Sequence, residues 1–289
     1  MSELSWWPAP AKLNLFLHVV RRRPDGYHDL QTLFQIIDRC DRIGIAVRRD
    51  GQIQRHGGLS AVPPDEDLTV RAARALQQRT GTPRGAELHV IKHIPVGGGL
   101  GGGSTDAATV LLALNRLWET GLAIDELAEI GLKLGADVPV FVRGHTAWGE
   151  GRGEILSPAG RPERWFLVIH PGVSVSTAEM FQAPELTRNS PVITIRAFSE
   201  GGTGNAFEPI VRARHIEVAQ ALDWLRAQID VRNAPIPARL TGTGACIFAS
   251  FERVEDAERI AARVPDRWSS FVARGVNRSP LHDLLGLKD

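Results

Sequence analysis

The passage IPVGGGLGGGSTDAATVLLALNRLW concentrates the residues of this chain best suited to chemistry. Six of the seven residues from Gly97 to Gly103 are glycine. Lacking Cβ atoms, such a coil can curl tightly and turn several N–H donors toward one ligand. From Ala107 the apolar positions Ala107, Val110, Leu111, Leu114, Leu117 and Trp118 recur at helical spacing. The coil therefore opens a buried helix, whose free N–H groups and dipole add to the pull on a phosphate. Ser104 or Thr105 is expected to cap that helix, with Asp106 in its first turn. Their hydroxyls also offer oxygen to a phosphate or to a metal held by one. A Walker A loop is excluded because no Lys-Ser/Thr pair follows the glycines. A dinucleotide fingerprint fits only if spacing is ignored, and no aromatic platform for single-stranded nucleic acid is visible.

An alcohol receiving a phosphoryl group is a poor nucleophile. A carboxylate can take its proton as the new bond forms, and a lysine nearby keeps that carboxylate ionised. Asp137 and Lys12 are the candidates for these roles. Read blandly, Asp137 is a turn residue after a helix and Lys12 a solvated strand lysine. Tyr27, the single tyrosine, stands beside His28 just past the turn Pro24-Asp25-Gly26, where a ring could stack on a flat substrate.

These residues need elements to hold them. PAPAKLNLFLHVV alternates at period two, with Lys12, Asn14, Phe16 and His18 on one face and Leu13, Leu15, Leu17 and Val19 on the other. Strands are predicted at 33–37, 43–47, 87–94, 165–169, 247–251 and 271–276. Helices are predicted at 68–78, 125–134, 215–228 and 254–263. Before Pro139 the backbone is expected to be extended. Strands and helices alternate irregularly, which favours an α+β fold. The Gly- and Pro-rich segment 148–162 suggests a boundary near residue 155, dividing the chain into units 1–155 and 156–289.

PVGGGLGGGSTDAAT resembles the phosphate-loop motif of the GHMP kinases. PAKLNLFL near the start and LTGTGACIFASF (Leu240 to Phe251) are similar to that family's other two motifs. DGYHDLQTLFQ and LGADVPVF narrow the likeness to a member acting on a cytidine diphosphate substrate. The resemblance runs from Pro8 to Leu281 and implies a ribosomal S5 domain 2-like N-terminal half, a ferredoxin-like C-terminal half and a cleft between them. It implies ATP with Mg²⁺, the nucleotide phosphates lying on Pro95, Val96, Gly97, Gly98, Gly99, Leu100, Gly101, Gly102, Gly103, Ser104 and Thr105. It assigns Lys12 and Asp137 to catalysis, places Tyr27, His28 and Phe181 around the cytosine, and sets Asn14 and Thr177 near the rest of the acceptor. Ser104 is the metal-contact candidate, and Gly242 and Gly244 let backbone approach the site. Asp67 departs from the asparagine that the resemblance leads one to expect. Aspartate only accepts hydrogen bonds, so adenine contacts are left open.

The chain has 289 residues, 34 Lys and Arg against 33 Asp and Glu, and a formal charge of +1. So even a balance argues against a protein built to grip nucleic acid. The longest apolar stretch, 107–114, falls far short of the roughly 18 residues of a membrane span. Two cysteines and no signal-like leader suggest a cytoplasmic protein, taken as a monomer or weak homodimer. Two rivals stand: another small-molecule kinase of the family, of homoserine or mevalonate type, and an S5-like RNA-binding module. Arg21-Arg22-Arg23 reads as a solvated turn. His89 and His93 sit on a predicted strand without a carboxylate at the proper offset, so no metal is expected on that pair.

Overall fold

The computed structural model describes residues 3–57, 62–199, 203–230 and 234–287. Among these, the first half runs β1 (Ser5–Arg22), β2 (His28–Arg48), β3 (Ile53–Gly57), α1 (Leu68–Thr80), β4 (Gly85–Ile91), α2 (Gly102–Leu117), α3 (Ile124–Leu134), α4 (Val138–Arg143), β5 (Ala147–Glu150) and β6 (Ile155–Pro158). The second runs β7 (Trp165–His170), α5 (Thr177–Gln182), α6 (Ile195–Ser199), α7 (Glu208–Arg214), α8 (Ile216–Gln228), β8 (Arg239–Leu240), β9 (Ile247–Phe251), α9 (Val254–Ala261), β10 (Ser269–Val276) and α10 (Pro280–Leu285). The mixture is α+β, as the irregular alternation predicts.

The strands follow the order β3-β4-β2-β10-β7-β9-β8, with β1 and β5 also paired to β2. Strands β2 and β10 join the two halves of this surface through the pairings of Gly275 with Ile37 and Val276 with Ile36. Helices α1 to α4 cover the first half around Leu76, Val110, Leu111, Leu114 and Leu127. Leu281 and Leu285 of α10 enter the same core, so the end of the chain packs against its beginning. A second core forms under α7 and α8 from Phe207, Val211, Leu222 and Leu225 with Ile247 and Ala249. Between them, Leu13, Leu15 and Phe16 pack against Ile94, Leu100, Phe166 and Phe248.

Four local expectations need correction. The predicted strands 33–37 and 43–47 are one strand, because the polar residues between them stay paired to β1, Cys40 opposite Pro10 and Asp41 opposite Ala9. Period two also fails along β1. The register shifts between Asn14 and Leu17, so Phe16 joins Leu13 and Leu15 in one core while Leu17 and Val19 enter another. Neither Ser104 nor Thr105 caps α2. Gly101 does, with φ at 74°, and the Thr105 amide donates to its carbonyl at 2.9 Å, as the first helical bond requires. Finally, Val138 and Pro139 are helical, since proline in a first turn gives up an N–H that would have no partner there anyway.

Candidate active site

A cleft of about 1000 Å³ opens between the two halves. Its floor carries Lys12 and Asn14, which sit on β1 between two register shifts, the kind of irregularity that re-aims side chains. Lys12 Nζ donates to Asn14 Oδ1 at 2.6 Å and lies 3.1 Å from Asp137 Oδ2. The lysine side chain is 3% exposed and the carboxylate 33%, so the pair joins a buried cation to an accessible carboxylate. Asn14 Nδ2 donates to Thr32 Oγ1, and its amide to Thr241 Oγ1, both at 2.9 Å. Asp137 stands immediately before α4, held there by the short helix rather than by an extended link.

The glycine loop passes directly above this pair. One side of the loop is clamped by the segment Leu240 to Phe251. Ala245 and Cys246 amides donate to the carbonyls of Gly97 and Gly98, both at 3.1 Å. A Cβ at Gly99, whose φ is 75°, would fall 2.3 Å from the Thr241 carbonyl oxygen. One at Gly242 would fall 2.9 Å from that of Gly99. The two glycine-bearing segments thus meet main chain to main chain, leaving no room for a side chain. Pro95 to Ser104 all line the cleft, whereas Thr105 is fully buried and turned away from it. The expectation that Thr105 meets the nucleotide is corrected accordingly: its place one turn into α2 points it into the core.

Beneath the loop lies a charged network that the sequence reading missed. Lys92 Nζ bridges Asp41 and Asp106, 2.6 Å from Asp106 Oδ2. Asp41 also accepts the Ile94 amide at 2.8 Å, pinning the start of the loop. Asp106 Oδ1 is buried without a hydrogen-bond partner. Burial above all, with Asp41 adding to it and Lys92 opposing, raises the Asp106 carboxyl to about 7. Asp67 is spent elsewhere. Its carboxylate caps α1 by accepting the Thr69 amide at 2.8 Å and pairs with Arg55 at 2.6 Å.

At the far end, His28 stacks on Phe181 with ring centroids 5.2 Å apart and planes 30° off parallel. Tyr27 is 52% exposed, and the Arg152 guanidinium lies 3.9 Å from its ring centroid. Thr177 and Thr243 hydroxyls meet at 2.8 Å. Arg188, absent from the sequence reading, binds this end together. Its Nε donates to His28 Nε2 at 3.1 Å, while its other nitrogens donate to the carbonyls of Phe181, Ala183 and Leu186. Since an arginine only donates, His28 Nε2 must accept, which places the ring proton on Nδ1. Burial first, then the charges of Arg188 and Arg22, hold His28 below the usual histidine range. Arg22, taken from the sequence for a solvated turn residue, also lines the cleft. No local motif marks Arg152 or Arg188; only their arrival at one wall does.

Residues 67–145 match the GHMP kinases N terminal domain, and residues 189–270 match GHMP kinases C terminal. The chain is 58% identical over 281 residues to a 4-diphosphocytidyl-2-C-methyl-D-erythritol kinase of Alkalilimnicola ehrlichii, covering 96% of this chain and 94% of that one. It is 55% identical to the protein of the same name from Halorhodospira halophila, covering 98% and 96%. A crystal structure of 4-(cytidine 5'-diphospho)-2C-methyl-D-erythritol kinase superposes with a TM-score of 0.80 at 31% identity, over 94% of this chain and 100% of the other. A homoserine kinase from Cytophaga hutchinsonii shares the fold, with a TM-score of 0.68 at 16% identity over 96% of each chain.

Proposed function

This chain belongs to the GHMP kinases, and on that premise we propose that it transfers the γ-phosphoryl group of ATP to the 2-hydroxyl of 4-(cytidine 5'-diphospho)-2-C-methyl-D-erythritol, a step of non-mevalonate isoprenoid biosynthesis. The observation that carries the substrate assignment is the far wall of the cleft. There Tyr27, His28 and Phe181 offer rings to a base, and Arg22, Arg152 and Arg188 offer positive charge to a diphosphate. A homoserine or mevalonate acceptor has no use for the aromatic part of that wall. The high-identity relatives named for the cytidine substrate support the same choice.

The chemistry divides between main chain and side chains. Loop amides from Gly97 to Gly103 hold the triphosphate and favour the charge that develops on its oxygens. Asp137 accepts the proton of the attacking hydroxyl as the new O–P bond forms, and ADP departs as the old one breaks. Lys12, desolvated and 3.1 Å from that carboxylate, balances its charge and steadies the emerging alkoxide. Asn14 fixes the ammonium group, and its link to Thr241 ties this floor to the motif that clamps the loop.

Mg²⁺ fits the oxygen-rich donors at the start of α2: the Ser104 hydroxyl on the cleft wall and the unpartnered Asp106 Oδ1 behind it. When bound there with the nucleotide, the ion neutralises phosphate charge. The two free cysteines agree with a cytoplasmic setting. Two helical cores support two units, but they interleave along the chain: Leu281 and Leu285 pack into the first, Leu17 and Val19 into the second.

The test is a coupled assay of ADP release across the cytidine, homoserine and mevalonate acceptors, with wild type and Asp137→Asn. Turnover is expected only with the cytidine acceptor, and the variant should lose at least about a hundredfold in kcat. Preference for homoserine or mevalonate would overturn the substrate; equal rates in the two proteins would remove Asp137 from proton transfer.

A further inference from the structure

On the sheet face turned away from helices α1 and α2, three side chains converge that phosphoryl transfer does not use. Strands β3 and β4 run parallel, with His56 opposite His89 and Gln54 opposite Glu87. Side chains alternate along a strand, so Glu87 and His89 share one face while Leu88 and Val90 fill the core on the other. Cross-strand pairing sets His56 on the face of His89. Its Nε2 lies 3.2 Å from Glu87 Oε1, and His89 Nε2 lies 3.1 Å from the same oxygen. The two rings stack at 4.9 Å and 19°. His93, by contrast, lies beyond the end of β4, its Nδ1 3.2 Å from the Cys40 carbonyl oxygen.

We propose that His56, Glu87 and His89 form a binding site for a divalent transition-metal ion of the Zn²⁺ class. Zinc bonds to imidazole nitrogen and carboxylate oxygen are about 2.0–2.2 Å long, so the edges of a tetrahedral site are roughly 3.3 Å. The two nitrogen-to-oxygen separations already have that length, and one ligand atom from each residue lies within 4.8 Å of the others. Two imidazoles with one carboxylate suit zinc, cobalt or nickel, whereas magnesium prefers oxygen alone. This separates the site chemically from the metal that accompanies ATP. His56 is half exposed, which leaves the fourth position to water.

The ligands are supported from behind. The Trp6 ring lies against His89, with centroids 6.4 Å apart. Gly44 makes room for both: a Cβ there would fall 3.0 Å from Trp6 and 3.1 Å from the His89 Cβ. Arg48, whose guanidinium feels the Glu87 carboxylate, is paired with Asp50, which offsets its repulsion of a cation. A bound ion would clip β3 to β4. The neighbouring β3 residue, Arg55, holds Asp67 at the cap of α1, so the clip would steady one wall of the cleft.

The decisive experiment uses full-length, tag-free protein without nucleotide. Titration with Zn²⁺ by calorimetry should show one saturable site that excess Mg²⁺ does not displace, and saturation should raise Tm. Co²⁺ in its place should give the visible absorption of a tetrahedral complex. His56→Ala, His89→Ala and the near-isosteric Glu87→Gln, each checked for native circular dichroism, should weaken binding more than about tenfold and abolish that absorption. The proposal is overturned if wild type takes up no Zn²⁺, or if folded variants bind it as tightly as wild type does. A hydrogen-bonded His–Glu–His group and nothing more would produce the first of those results.

Discussion

The two ends of the cleft are built in different ways. The proposed donor end draws mainly on one glycine-rich stretch, Pro95 to Asp106. The acceptor end is assembled across the fold: Arg188 reaches His28 from 160 residues away, and Arg152 covers Tyr27 from a different strand connection. A contiguous loop presents backbone donors that any residue type would supply, provided it had no side chain. The distant wall presents particular side chains, and each needs its own scaffold. Affinity for the shared nucleotide therefore depends on space, and selection of the acceptor depends on partners.

Substitutions on either side of this divide should fail in different ways. The largest effect is expected between the two ends, at Asp137→Asn, where kcat falls by at least about a hundredfold while both KM values change little. Next is Gly99→Ala. Its Cβ would be driven into the Thr241 carbonyl in a left-handed conformation, so kcat/KM for ATP should drop by about two orders of magnitude, measured at saturating acceptor. If the acceptor KM moved instead, the donor end would not be the loop.

Tyr27→Ala should leave the ATP KM unchanged and raise that of the acceptor about tenfold or more, the scale of a base–aromatic stack. Arg188→Ala should raise the acceptor KM about tenfold by freeing His28 and the end of α5. Arg188→Lys, keeping charge without the fork, should recover only part of this. Full recovery with lysine would mean that charge, not the fixed His28 tautomer, governs the acceptor end.

The last effect concerns stability rather than rate. The Asp106 carboxyl sits at about 7 in the folded protein, against 3.8 when unperturbed, so the native state binds its proton more tightly than the unfolded chain does. Its stabilising contribution is complete below about pH 4 and is lost as the pH climbs toward 7. Relative to Asp106→Asn, wild-type Tm should decline across that window and level off above it. Parallel curves would show that Lys92 keeps the carboxylate charged throughout.

Much of the donor end was legible in the chain itself. A glycine run requires tight main-chain packing, and the spacing from Ala107 to Trp118 requires a buried helix; both signals reside in adjacent residues. The likeness of several separated motifs to one family extended this to Lys12 and Asp137, which the structure brings within 3.1 Å. Local rules misplaced the cap of α2 and the fate of Thr105, because the turn at Gly101 starts the helix earlier than hydroxyl preference predicts. They also divided β2, whose polar middle is held by its ladder with β1 rather than by its own hydrophobicity.

The sequence by itself determined where the glycine loop lies and which helix it opens, since backbone freedom and periodicity are properties of neighbours. Only the tertiary structure decided that Arg188 sets the His28 proton, that Lys92 joins two buried aspartates and that His56 meets His89 across a parallel ladder. Those pairings depend on how sheets and helices stack. Residues that are ordinary in their own surroundings acquire a role only through the groups that packing places against them.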